Sequence, residues 1–171
     1  VGPAIIKVAE GYKLGVQAVN PNCDVYTAYT GSTEDVQKSK EAAQAMIDKG
    51  VDLIGGGGNA SNAGMIKACE EAGVYAFGEL EQQNLAPETV IFCNMNNIEN
   101  LVLQAVKDTI DGDFQGCIRE YGIAADVAQL TEYNSHVPQE VKDKLAECMD
   151  QMRSGELDIP MITEISDDII H

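Results

Sequence analysis

A chain of 171 residues, 44 % of them hydrophobic and 23 % charged, can bury one core of its own but is cramped for two full domains. Its 28 acidic against 11 basic residues leave a formal charge of −17, with no cluster of Lys or Arg to offset it. Such a surface repels phosphate backbones and anionic membranes, which argues against nucleic acid as a partner, and no apolar run approaches the roughly 20 residues of a membrane span.

In chain order, Ile5, Val8, Ala9, Tyr12, Val16 and Val19 recur at three and four residues and predict an amphipathic helix, stopped by Asn20-Pro21-Asn22. Val25 to Tyr29 is β-branched and aromatic, ends in Thr30-Gly31-Ser32, and reads as a strand. Ser32 or Thr33 is placed to cap a second helix that runs to Asp48-Lys49-Gly50. Val51 to Ile54 is a strand, Asn62 to Glu71 a helix and Val74 to Gly78 a strand. Beyond Pro87 come a strand from Thr89 to Cys93 and a helix from Ile98 to about Ile110, broken at Asp111-Gly112. A strand-like Val127 to Leu130 precedes a helix from Pro138 to Arg153, ended by Ser154-Gly155. The alternation of strand and helix predicts an α/β fold: a Rossmann-like open parallel sheet with helices on both faces. Residues 1–160 are assigned to it, while 161–171 form an unassigned tail.

Four glycines, Gly55 to Gly58, sit between a strand and a helix, where regular structure gains nothing from them. In an open parallel sheet, ligands bind beyond the carboxyl ends of the strands. There the glycines let the backbone approach a ligand, and Asn59, Ser61, Asn62 and the N–H groups of the following helix supply donors. The spacing is neither the GxGxxG of a dinucleotide site nor a phosphate loop, and no Lys follows. A neutral ligand rich in hydroxyls or amides is the better match. The next strand end carries Glu79 and Glu81 within a carboxylate-and-amide cluster ending at Gln82-Gln83, and the one after it Asn94, Asn96 and Asn97. The expected ligand contacts are therefore Gly58, Asn59, Ser61, Asn62, Glu79, Glu81, Asn94 and Asn96.

Catalysis finds little footing. His136 and His171 are the only histidines, one beside a proline and one at the terminus, and neither has a nucleophile partner in sequence. Cys23, Cys69, Cys93, Cys117 and Cys148 lack the spacing of a zinc or redox site, and are read as free, mostly buried small hydrophobes. No catalytic residue, no metal and no cofactor is assigned.

The succession of motifs resembles the basic membrane protein family, the nucleoside-binding lipoproteins of ABC importers. It is carried by Gly11-Tyr12-Lys13-Leu14-Gly15-Val16, Val19-Asn20-Pro21, Tyr29-Thr30-Gly31-Ser32 with Asp35, and Ala42-Ala43 to Gly50. Val51-Asp52-Leu53-Ile54, Gly64-Met65-Ile66-Lys67-Ala68, Gly78 with Gln83, and Ser154-Gly155-Glu156-Leu157 complete it. The resemblance implies one lobe, plus part, of a type I periplasmic binding protein. On that pattern the chain is a fragment that lacks the N-terminal lobe and an apolar first strand before Pro3.

What the resemblance further implies is a non-catalytic solute-binding component that recognises a small polar ligand, a purine nucleoside or related compound, and delivers it to an importer permease. It implies an extracytoplasmic protein held to the membrane only through a lipid anchor outside this chain, with self-association of an isolated lobe. The pattern departs at the ligand: Ser61-Asn62-Ala63-Gly64 replaces Thr-Gly-x-Gly, Leu80 stands where the ribose-binding Asp would be, and Asn96 stands for a Lys. An intracellular ligand-sensing regulatory domain of the same fold is the alternative; an α/β enzyme is disfavoured for want of a nucleophile and base.

Overall fold

A computed structural model describes residues 2–164. The elements run α1 (Pro3–Val19), α2 (Val36–Ile47), β1 (Leu53–Gly55), α3 (Asn62–Ala72), β2 (Tyr75–Glu79), β3 (Val90–Asn96), α4 (Ile98–Asp111), β4 (Ala128–Leu130) and α5 (Gln139–Ser154). Short 3-10 turns fill Gln82–Leu85 and Ile123–Ala125. The strands lie in the order β1-β2-β3-β4.

β1, β2 and β3 are parallel, as the alternation predicts, but β4 runs antiparallel to β3, so the sheet is mixed rather than purely parallel. The return path explains the reversal. α4 leaves directly from the carboxyl end of β3, and the chain after it folds back: Tyr121 Oη donates to Asp108 Oδ2 at 2.9 Å, and Arg119 pairs with the same carboxylate. Asn97 N then donates to Val127 O at 2.7 Å, which delivers the chain to the carboxyl edge of β3. From there β4 can only run downward, opposing Leu130 to Asn94 and Ala128 to Asn96.

The core lies between the sheet and two helices. Met65, Ile66, Ala68 and Cys69 of α3 pack with Ala43 of α2 against Ile54, Ala76, Val90 and Cys93. The period-2 alternation of a strand puts Phe77 on the other face, where its ring stacks on Phe92 (centroids 5.6 Å) and meets Tyr12 of α1 (5.1 Å). Helices thus cover both faces. Gly64 lets α2 and α3 close: a Cβ there would lie 2.9 Å from the Val36 carbonyl carbon, 3.0 Å from Lys40 N, and nearer still to the Val36 oxygen.

Val25–Tyr29 forms no strand. The chain from Cys23 to Thr30 is unbent and non-helical, yet it pairs with nothing among the described residues, because the edge of β1 lies across a cavity from it. Nor does Ser32 or Thr33 cap α2; Asp35 does, its carboxylate accepting from Lys38 N at 3.0 Å. The Ser32 hydroxyl instead accepts from the N–H groups of Glu34 and Asp35. The cysteines are free, but only Cys69 and Cys93 are buried; Cys148 is half-exposed, and Cys23 and Cys117 are exposed, since they fall outside the contact between sheet and α3. His171 and most of the tail lie outside the described residues.

Candidate functional site

Three loops meet at the carboxyl edge of the sheet: the glycine run after β1, the turn after β2 and the end of β3. Asn62, only 2 % exposed, is their junction. Its Nδ2 donates to Glu79 Oε2 at 3.4 Å and to Gln82 Oε1 at 3.2 Å. Gln82 Oε1 also accepts from Glu79 N at 3.0 Å, while its Nε2 donates to Asn59 O at 3.4 Å. One amide therefore fastens the glycine loop, the start of α3 and the end of β2. Asn59 Nδ2 reaches on to Glu34 at 2.8 Å, and Ser61 N donates to Thr33 O at 3.1 Å, so residues 33–34 close the outer wall.

The glycines answer to these neighbours. On Gly56 a Cβ would stand 2.9 Å from both Asn62 Cγ and Met65 Cε; on Gly55 it would meet the Phe77 ring, and on Gly58 the Ser61 hydroxyl. Three of the four glycines are needed because neighbouring side chains already fill the space where their own would go, whereas a Cβ on Gly57 would meet only Val8, at 3.7 Å.

Glu79 is the one titratable group at the junction. Burial pushes its carboxyl above the usual range, opposed by the Gly58 N–H and by Asn62. The carboxylate thus keeps only part of its accepting capacity for a ligand. The N–H groups opening α3 are not free, contrary to the sequence expectation. Those of Asn62, Ala63 and Gly64 donate to the carbonyls of Asn59, Ala60 and Ser61 at 3.4, 3.2 and 3.0 Å, because the helix is entered through a tight turn.

Of the eight expected contacts, Gly58, Asn59, Ser61, Asn62 and Glu79 come together. Asn94 stands opposite Glu79 in register and is exposed, its carbonyl accepting from Leu80 N at 2.8 Å. Glu81 is exposed and points no hydrogen bond at the junction among the described residues, and Asn96 lies two residues further along, opposite Ala128. Both are carried away by the local backbone: the turn at Leu80 (φ +55°) redirects the chain, and β3 outruns β2. Gln82, outside the eight, is the further residue that the structure brings into the junction. Its signal was an amide four residues past the buried Gly78, within the cluster already noted. His136 sits in a loop with its Nε2 3.1 Å from Glu88, remote from the junction.

What the geometry offers is a fixed set of amides, one partly engaged carboxylate and close backbone, which suits a ligand bearing hydroxyl or N–H donors. A model of the family described as ABC transporter substrate-binding protein PnrA-like matches residues 1–163. The chain belongs to the Bmp family. It is 26 % identical over 156 residues to a purine-binding protein of Brucella abortus (strain 2308), covering 91 % of this chain and 44 % of that protein. A transcriptional activator of the comK gene from Bacillus halodurans has the same fold (TM-score 0.78, 21 % identity, 86 % of this chain and 52 % of that one). So has an ABC transporter solute-binding protein from Conexibacter woesei (TM-score 0.77, 21 % identity, 95 % of this chain and 55 % of that one). The chain spans about half the length of the curated relatives it matches. Membership of the family carries the α/β fold of solute-binding proteins with it. Among the described residues, no helix is long and apolar enough to cross a membrane.

Proposed function

We propose that this Bmp-family chain is one lobe of the solute-binding component of an ABC importer, and that it binds a purine nucleoside or related purine compound without transforming it. The observation that carries the reading is the junction of Asn62, Glu79 and Gln82 with the glycine loop, at the sheet edge where α/β folds take ligands. The purine class is supported by the Brucella relative's name. In the parent protein a second lobe closes over the ligand, a permease receives it, and a lipid anchor outside this chain holds the protein to the outer side of the membrane.

A second reading has its own support. Two matches are named transcriptional activators, one from Bacillus subtilis by sequence and one from Bacillus halodurans by fold. On that reading the same lobe senses its ligand inside the cell. The sequence upstream in the parent protein separates the two: a lipidated cysteine for the importer, a DNA-binding helix-turn-helix for the sensor.

The ligand is tested by thermal shift of the parent protein with adenosine, guanosine, adenine, guanine, riboflavin, glucose and amino acids, since binding to the native state raises the melting temperature by mass action. A shift with a purine compound, reduced by Glu79→Ala, is the expected result. A shift confined to glucose or an amino acid would overturn the ligand class.

A further inference from the structure

Among the described residues, Leu80 (φ +55°) and Asp126 (φ +52°) hold left-handed backbone without being glycine. That conformation crowds the Cβ against the following carbonyl, and short polar side chains bear it best. Asp126 is such a residue. It ends the Ile123–Ala125 turn, its carbonyl accepts from Asn100 Nδ2 at 3.2 Å and from Gln129 Nε2 at 3.1 Å, and its carboxylate lies 3.6 Å from Arg153. Leu80 is the opposite case: a large apolar side chain, 55 % exposed, in a conformation that suits it poorly.

The turn itself has a reason. Leu80 N donates to Asn94 O at 2.8 Å where the pairing of β2 with β3 ends, and two residues later Gln82 is back over Glu79 N, from which its Oε1 accepts at 3.0 Å. A positive φ lets the chain reverse within that span. Yet the turn asks only for the backbone, which glycine supplies freely and asparagine readily. Leucine adds strain with little packing to offset it, and strain of this kind gathers at ligand clamps and active sites. The turn accounts for the backbone of Leu80 and leaves its side chain unexplained.

That side chain follows directly on the Glu79 carboxylate. Asn62 and the Gly58 N–H engage Glu79 only in part, so it can still accept from a ligand hydroxyl or N–H. In open water such a bond contributes little, because water competes for both partners. With water excluded it strengthens. The exposed neighbours Glu81 and Asn94 are polar and hold water at this edge rather than exclude it. We infer that Leu80 is a binding residue of the ligand site, its isobutyl group packing on the bound ligand beside Glu79 and shielding the hydrogen bond between them from water. The inference rests on the reading that this junction takes a ligand, and adds that the ligand presents apolar surface next to its donor.

The test titrates the parent protein by calorimetry with adenosine, guanosine, adenine and guanine in turn. For a compound that binds the wild type, Leu80→Gly and Leu80→Asn are expected to weaken binding about tenfold or more, the order of effect of burying an aliphatic side chain. Leu80→Met, which restores apolar bulk, recovers most of that loss. Leu80→Asn meanwhile raises the melting temperature of the free protein, which separates a lost ligand contact from a folding defect. In a Glu79→Ala background the Leu80→Gly loss shrinks to less than about threefold, as coupling through one hydrogen bond requires. Affinity indifferent to Leu80, or a Leu80→Gly loss just as large without the Glu79 carboxylate, overturns the inference alone. A parent protein that binds none of the four compounds overturns the purine reading and this inference with it.

Discussion

The contact of α2 with α3 at Gly64 leaves no room for a Cβ against the Val36 backbone, and it makes a quantitative prediction. Gly64→Ala places a methyl 2.9 Å from the Val36 carbonyl carbon and 3.0 Å from Lys40 N, closer still to the Val36 oxygen. Carbon contacts relax at about 3.5–4.0 Å, and since the obstacle is helix backbone no side chain can swing aside. The helices must part by at least roughly half an ångström across a seam that buries Ala43, Met65, Ala68 and Cys69. Overpacking of this kind costs about 3 kcal/mol, the upper end of its usual range, offset by at most about 1 kcal/mol of better helix propensity. A net loss of about 2 kcal/mol lowers Tm by roughly 4–8 °C in a chain of this size. Gly15, inside α1 with nothing within 4 Å of its would-be Cβ, is the internal control: Gly15→Ala raises Tm by about 2–4 °C from propensity alone. Thermal unfolding of both variants, followed by circular dichroism, decides it. If the two substitutions shift Tm in the same direction, the close approach at Gly64 is not what sets the helix spacing.

Glu79→Gln carries a pH signature. Because burial raises the native carboxyl above its ordinary value of 4.5, the native state binds the proton more tightly than the unfolded chain. The stability this contributes is full below 4.5 and is lost as pH rises through the raised value. Relative to the wild type, the glutamine variant therefore gains stability between those two points and keeps that gain at higher pH; a difference that moves the other way as pH rises would reverse the sign. At Leu80, φ of +55° strains a residue that is 55 % exposed and so has little packing to lose. Leu80→Asn is expected to gain about 0.5–1 kcal/mol, read as an upward shift in the urea midpoint; a loss would reveal packing by the Leu side chain. On the one-lobe reading proposed above, the 171-residue chain by itself is expected to show no saturable adenosine binding below millimolar concentration by calorimetry, and a micromolar isotherm would refute that.

Most of the fold is legible because its signals are local. Gly73, Gly112 and Gly155 end α3, α4 and α5 in the left-handed conformation that glycine adopts freely, and the apolar spacing marks the helices between them. Val25–Tyr29 has strand composition too, but a strand exists only against a neighbour, and pairing is not a property of the segment. The reversal of β4 is hidden for a similar reason. Its direction follows from where Asn97 catches Val127, a contact 30 residues apart that no periodicity encodes. At the junction, residue type pointed to loops that meet there yet could not separate Glu79 from Glu81. One backbone turn at Leu80 decides which carboxylate enters the junction.

That choice of carboxylate bears on what the site rejects. Glu79 already accepts from Asn62 and from the Gly58 N–H, the donors that an anion would otherwise recruit. A ligand hydroxyl or N–H can donate to the remaining lone pairs without disturbing either bond, whereas a phosphate would have to approach a carboxylate whose partners are spent. Two like charges at about 4 Å repel by about 4 kcal/mol at an effective dielectric of 20, which amounts to roughly a thousandfold in affinity. The −17 charge of the chain adds to the repulsion at longer range. On the proposed purine-binding reading, adenosine is accordingly expected to bind and adenosine monophosphate to bind far more weakly when titrated at low salt, with Glu79→Gln narrowing the gap. Equal affinity for the two, or a gap unmoved by the substitution, would mean that Glu79 does not face the part of the site where a ribose 5′ substituent lies.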